Sequence, residues 1–480
     1  MRKHLFGLIA IAAVCAGLAS CTKESINEEL SGNSYSIRIP VQKTATKAVT
    51  EGTGKAVSTF RTTDNVYVYN ESTNVLDNGT LHPSDDAHEA SFVGTLNKSY
   101  KVGNVLRVLY NTGSNGIVDY SSQDGSLEDV IDAGEGEVTI ASVSGSVITT
   151  NSATIDNLQS IFKFTFRYGG AEIGGIRFVR IFSGDNKLQA QYNANSGTAT
   201  YGPVTVSRNN NLENNYIYAG LRFDANPSDD IVFQVVDENG KVYSGSKTAP
   251  STGFAIGKFY NTTVDVNLYT FTVASGKKVC FSPGDLGKAG DVYSFTTPFA
   301  DWGSSAKNNN YTGDRSWFDY REVDEDSDPA TSLYGITWRI ETKVSGAYEW
   351  DYILSSRTMN EGVNRYYKLT VNGHSNCLLL PPDEATSEDI GSDIKNSSVG
   401  ADFVKYLAKG FVILMNARRG STTTSSTAKI SWSSSYYSYW MFFDNKSNRK
   451  HLCWSSTTAP SVTWPTSQFR MHVRLVHDVE

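Results

Sequence analysis

Tyr35, Ile37, Ile39 and Val41 alternate with Ser36, Arg38 and Pro40, the two-residue period of a strand that buries one face. The same period returns at Phe162, Phe164, Phe166 and Tyr168, set against Lys163, Thr165 and Arg167. Shorter apolar runs at 66–69, 105–110, 138–140, 176–182, 231–236 and 259–268 predict further strands, punctuated by clusters of Gly, Asn, Asp and Pro. This spacing argues for β-sandwiches rather than βαβ units, and no helix of useful length is expected before residue 270. Beyond it the pattern changes. Residues 338–358 predict a short extended piece followed by a helix at 345–356, where Ala347, Trp350, Ile353 and Leu354 recur at three- and four-residue spacing. With two tryptophans and a buried-looking arginine, this stretch is the expected nucleus of a C-terminal module. Val279 to Phe281 opens a strand there, and a turn is expected at 282–286. Leu378 to Leu380 form a strand stopped by Pro381 and Pro382. A second helix is expected at 400–409, with Phe403, Val404 and Leu407 on its apolar side and Gly410 as its stop. A polar stretch containing Lys43, Lys47 and Lys55 follows the first strand.

The fold class is therefore mainly β: two β-sandwich domains at 35–150 and 151–269, followed by an α+β module at 270–480. Length agrees, since 480 residues at roughly 150 per domain make about three. All eight tryptophans fall between Trp302 and Trp464, which marks a separate core after residue 270. A formal net charge of −7 is dispersed along the chain without a Lys/Arg stripe, so nucleic acid is not an expected partner. Of five cysteines, only Cys280, Cys377 and Cys453 lie in the expected domains, at no zinc-ligand spacing. At most one internal disulfide can form among them, and no metal or cofactor is expected.

At the N-terminus, Arg2 and Lys3 precede an apolar stretch from Leu5 to Leu18, too short for a membrane span of ~20 residues. It ends in Leu18-Ala19-Ser20-Cys21, which resembles the lipobox of bacterial lipoproteins. The resemblance implies a signal peptide at 1–20, lipidation of Cys21 and attachment to the outer membrane, with each buried methylene contributing ~0.8 kcal/mol. Residues 21–34 are polar and aperiodic and read as a flexible tether.

Two runs, Leu158 to Phe164 (LQSIFKF) and Ile256 to Val264 (IGKFYNTTV), are similar to recurring segments of fimbrillins, pilus subunits of anaerobic Gram-negative bacteria. The resemblance covers roughly residues 1–269 and implies transthyretin-like sandwiches. It also implies proteolytic loss of the first strand, with Lys47 as the expected maturation site, and strand exchange with other pilus subunits. The four inward residues of that strand are worth ~1.5–3 kcal/mol each, together about 6–12 kcal/mol, comparable to the stability of a whole domain.

The order of segments after 270 resembles bacterial C-type-lectin-like domains. Val279 to Gly284, Trp338 to Thr358, Val371 to Gly373 with Leu378 to Pro381, Trp432 to Ser434 and Val473 to Val476 carry the likeness. Ile340-Glu341 departs from it, standing where the pattern has Leu-Pro, and extra residues at 344–346 lengthen the helix entry. The sugar-binding triplets of animal lectins of this fold, E-P-N or Q-P-D, are absent. Tyr436, Tyr437, Tyr439 and Trp440, with Asp444 and Asn445, are the expected ligand-binding group, because aromatic faces stack on sugar rings or pack on a protein. The acidic run Glu322, Asp324, Glu325, Asp326 and Asp328 lacks the glycine and downstream glutamate of a calcium loop. The expected protein is a non-catalytic, lipid-anchored surface adhesin, a fimbrial tip subunit or a stand-alone receptor for a host or microbial glycan or protein. Two alternatives remain open: a carbohydrate-capturing lipoprotein, and an oxidase of the formylglycine-generating type, which needs two adjacent thiols.

Overall fold

Alternation in the first strand carries through to burial. In Tyr35–Lys43 every odd-numbered residue is buried and every even-numbered one is exposed. A computed structural model describes residues 34–43, 59–127, 130–208, 214–224, 230–289, 292–296, 317–318, 333–341, 343–344, 346–414, 437–441, 450–454, 457–463 and 471–479.

The first strand is inserted rather than appended. It pairs antiparallel with Glu89–Leu96 along one side, from Tyr35 opposite Leu96 to Gln42 opposite Glu89. On the other side it runs parallel to Val147–Thr150 and then Ala153–Asn157. Those strands continue through Gly134–Ser144, Val105–Tyr110, Val66–Asn70 and Leu81–Pro83 back to Glu89–Leu96, so the sheet closes on itself. Its interior holds Tyr35, Ile37, Ile39, Val41, Phe60, Phe92 and Leu106. Lys43 corrects the expectation of a polar stretch after the strand: it is the strand's last residue and lies inward, fully buried.

A second core is built on Ser160–Tyr168, whose Phe162, Phe164 and Phe166 are buried. That strand sits between Tyr216–Leu221, antiparallel, and Phe259–Asp265, parallel. Facing it is a six-stranded sheet containing Val242–Lys247, Ile231–Asp237, Ile176–Ser183 and Val204–Ser207. The chain does not change cores cleanly at residue 150. Ser122–Gln123 pairs with Val204–Ser207, and Val118, Tyr120 and Ala133 pack into the second core.

The six-stranded sheet is covered on both faces. Val179, Ile181, Phe233 and Val235 face the second core. From the same strands, Phe178, Val236 and Val242 pack with Cys280, Trp338 and Leu475, while Phe182 and Val232 pack with Leu369, Leu407 and Ile413. Continuous apolar runs are what such a doubly buried strand requires. The C-terminal module thus shares two hydrophobic clusters with the second unit beside a core of its own around Trp350 and Trp454.

Within that module Lys277–Ala289 is the organising strand, paired with Phe271–Ala274, Val292–Phe295 and the returning Arg474–Val479. The turn expected at 282–286 is instead an irregularity inside this strand, where the register shifts between Phe281 and Asp285. Such a bulge releases carbonyls from the ladder, and buried arginines take them. Arg180 donates to Pro283 O (3.1 Å), Phe295 O (2.7 Å) and Thr296 O (2.9 Å). Arg474 donates to Ser282 O (3.0 Å), Ile413 O (2.9 Å) and the Asp285 carboxylate (2.8 Å). Gly284 is required here, since a Cβ would lie 2.0 Å from Thr296 O.

The nuclear helix is shorter than its periodicity predicts. Glu349–Asp351 is α-helical and Tyr352–Ser356 continues as π-helix. Trp350, Ile353 and Leu354 are buried as expected, but Ala347 is exposed in the two-residue strand Ala347–Tyr348. The second expected helix appears as a 3₁₀ turn, Ala401–Phe403, followed by Val404–Leu407.

Candidate functional site

Cys21, Lys47, Tyr436, Asp444 and Asn445 lie outside the described residues, as does the acidic run at 322–328. Tyr437, Tyr439 and Trp440 belong to the strand Tyr437–Met441, which pairs with Lys450–Trp454. Tyr437 is opposite Trp454, Tyr439 opposite Leu452 and Trp440 opposite His451. Leu452 and Trp454 are both completely buried, and the Trp454 indole donates to Asn376 O (2.9 Å).

The thiols are core residues. Cys280, Cys377 and Cys453 are all buried and no disulfide joins them. Cys280 packs with Trp338 and Leu475, whereas Cys377 packs in a different cluster with Leu369 and Leu379. Burial pushes the Cys280 thiol up to about 12, away from the thiolate that redox chemistry needs. His477 stands opposite it across the strand pair, but its Nδ1 is engaged with Thr337 O (2.8 Å). Native protein should therefore resist maleimide at all three positions and react at all three in denaturant, which mass spectrometry of the labelled chain checks. Rapid labelling of a native pair would support the oxidase alternative. Among the described residues no three His, Cys, Asp or Glu side chains converge as a metal site.

Two arrangements were not read from the sequence. One is an open cleft of about 560 Å³ between the outer face of the first sheet and the hairpin that follows Gln189–Asn193. Arg107, Glu135, Glu137 and Asp156 line one wall, Tyr192 and Asn195 the other. Arg107 donates across it to Ala194 O (2.7 Å), and the Tyr192 ring lies 3.8 Å from the Arg222 guanidinium. Glu135 stands directly opposite Asp156, and burial, opposed by Arg107 and Arg222, raises its carboxyl above the usual range. Carboxylates, an amide and an aromatic edge around an open hollow suit a hydroxylated ligand.

The other surrounds Lys43. Its ammonium is paired with Asp132, lies 3.4 Å from the Tyr110 hydroxyl, and faces the rings of Tyr110 (4.4 Å) and Phe60 (5.0 Å). The Tyr110 hydroxyl in turn donates to Asp64. The signal for this socket was present, since Lys43 continues the odd-numbered series of inward residues.

No protein-family profile matches the sequence, and no curated protein matches it. Among solved structures, a candidate cell adhesion protein from Bacteroides ovatus is similar over 48% of this chain and 91% of its own, at 14% identity and a TM-score of 0.32. One from Bacteroides uniformis covers 48% and 93%, at 12% identity and a TM-score of 0.31. A candidate polysaccharide-binding protein from Bacteroides thetaiotaomicron covers 48% and 90%, at 9% identity and a TM-score of 0.28.

Proposed function

We propose that this chain is a lipid-anchored surface adhesin, with two fimbrillin-like units carrying a C-terminal recognition module of C-type-lectin-like type, and that it binds without catalysing. The observation that carries this is the covered outer sheet of the second unit: Phe178, Phe182, Val232 and Val236 are buried against the C-terminal module. A module so seated occludes a face against which a second copy would have to pack to extend a shaft. That favours a terminal position, with strand exchange confined to the first unit.

Mass spectrometry of the mature N-terminus on cells tests this reading. A lipid-bearing Cys21 is expected for a stationary receptor, and a start near Ala48 for a pilus-borne one. An unlipidated chain beginning elsewhere would remove both. The cleft lined by Glu135, Asp156 and Tyr192 supports carbohydrate capture as a second reading. A glycan array with the full chain should then give binding that Tyr192→Ala abolishes and EDTA leaves intact. Binding that survives Tyr192→Ala would assign capture to the C-terminal module instead.

A further inference from the structure

The first strand poses a problem of register that its apolar residues do not solve. A one-residue slip would turn Tyr35, Ile37, Ile39 and Val41 out to solvent and is forbidden by burial. A two-residue slip is different, because it keeps the alternation and exchanges one large apolar side chain for another at the three inner sites, with Asn33 arriving at the site of Tyr35. The ninth position tells the registers apart by charge. There a fully buried ammonium meets Asp132, the Tyr110 hydroxyl and two aromatic faces, with Asp64 behind. In a slipped strand Val41 would stand against Asp132, while Lys43 would leave the cluster that compensates its charge. Lysine and carboxylate thus act as a single buried polar pair acts in a coiled coil, fixing register at some cost to packing.

We propose that this socket is a selectivity device: the slot between Glu89–Leu96 and the strand pair Val147–Thr150/Ala153–Asn157 accepts an extended segment with four alternating apolar side chains followed, two residues on, by a lysine. The inference rests on the strand-exchange part of the proposed function and specifies the incoming partner. An occupant with an apolar residue at that place loses the ion pair with Asp132. One with a carboxylate sets three acids together. Arginine keeps the charge but brings a larger, planar group into a space bounded by Phe60 and Tyr110.

The test uses the full chain with a specific protease site inserted between residues 44 and 58, cut so that the first strand is held only by its contacts. Fluorescent peptides spanning Tyr35–Lys43 are added, with Lys, Arg, Met or Glu at position 43, and exchange is followed by anisotropy. The lysine peptide should bind at least about tenfold more tightly than the methionine peptide, and the glutamate peptide should not exchange. Equal binding of the lysine and methionine peptides overturns the proposal. In the uncut chain, Lys43→Met should lower the unfolding midpoint of the first unit, Lys43→Arg should lower it less, and Asp132→Asn should cost little once Lys43 is gone. If no peptide exchanges, strand exchange fails as a function, while this cycle alone decides the socket: additive effects of Lys43→Met and Asp132→Asn overturn it.

Discussion

Arg180→Met should destabilise the chain by about 3–5 kcal/mol and separate the unfolding of the C-terminal module from that of the second unit. Arg180 belongs to the second unit's sheet, yet all three carbonyls it serves, Pro283, Phe295 and Thr296, belong to the C-terminal module. The guanidinium is fully buried without a carboxylate partner among the described residues, and burial lowers its pKa to about 10. Its charge is compensated by carbonyl dipoles and by the Phe178 ring at 5.1 Å. Methionine fills much the same volume and leaves those carbonyls buried without a donor, each costing about 1–3 kcal/mol. Lysine should recover only part of the loss, because one ammonium does not reproduce a fork that reaches three acceptors. Every tryptophan lies between Trp302 and Trp464, so tryptophan fluorescence reports the C-terminal module alone. Its urea midpoint should coincide with that of far-ultraviolet circular dichroism in the wild type and fall below it in Arg180→Met. Coincident, unshifted transitions in the variant would mean that the apolar clusters alone join the two units.

Much of the architecture was legible wherever one face of a strand is wet. The alternation at Tyr35–Lys43 and at Phe162 to Phe166 survives as burial, because only one side of each strand faces a core. Less was legible where both sides are buried. The runs at 176–182 and 231–236 have no clean period, and the doubly covered sheet they imply was read only as further strands. Arg180 interrupts such a run, and a charged residue inside an unbroken apolar stretch is itself the sign of a buried polar anchor. The bulge at 282–285 was read as a turn because Ser-Pro-Gly-Asp is turn chemistry. What keeps the strand continuous is supplied from far away in sequence, by Arg180 and Arg474. Ala347 failed for a related reason: helical spacing was projected past Glu349, where the chain is still extended. The expected ligand-binding aromatics could be placed only as a strand and its register, with Trp440 opposite His451.

Glu341→Gln should stabilise the C-terminal module at neutral pH and leave it unchanged in acid. Glu341 is 1% exposed, and neither of its carboxyl oxygens has a side-chain hydrogen-bond partner among the described residues. Burial is the main cause holding its pKa well above the carboxylate range. Its own backbone N–H, Arg339 and Arg474 oppose this, and the charge of Glu349 adds to it. Those cations are already committed: Arg339 grips Glu349 through two hydrogen bonds of 2.7 and 2.8 Å, and Arg474 is held by Asp285. In the unfolded chain Glu341 ionises near ~4.3, whereas in the folded chain it keeps its proton to much higher pH. Folding therefore takes up a proton across that window. The contribution of Glu341 is fully favourable below ~4.3 and is lost at about 1.4 kcal/mol per pH unit as pH rises toward the folded pKa. Glutamine removes the titration and keeps the shape, so the gain should be absent near pH 4 and grow as pH rises through neutrality. Glu349→Gln should do the reverse at neutral pH, since it strips Arg339 and Lys277 of a fully buried counter-ion. Thermal unfolding followed by tryptophan fluorescence at pH 4, 6 and 8 separates the two. A Glu341→Gln variant whose midpoint tracks the wild type at every pH would mean that position 341 carries its charge in the folded chain and that a compensating cation reaches it.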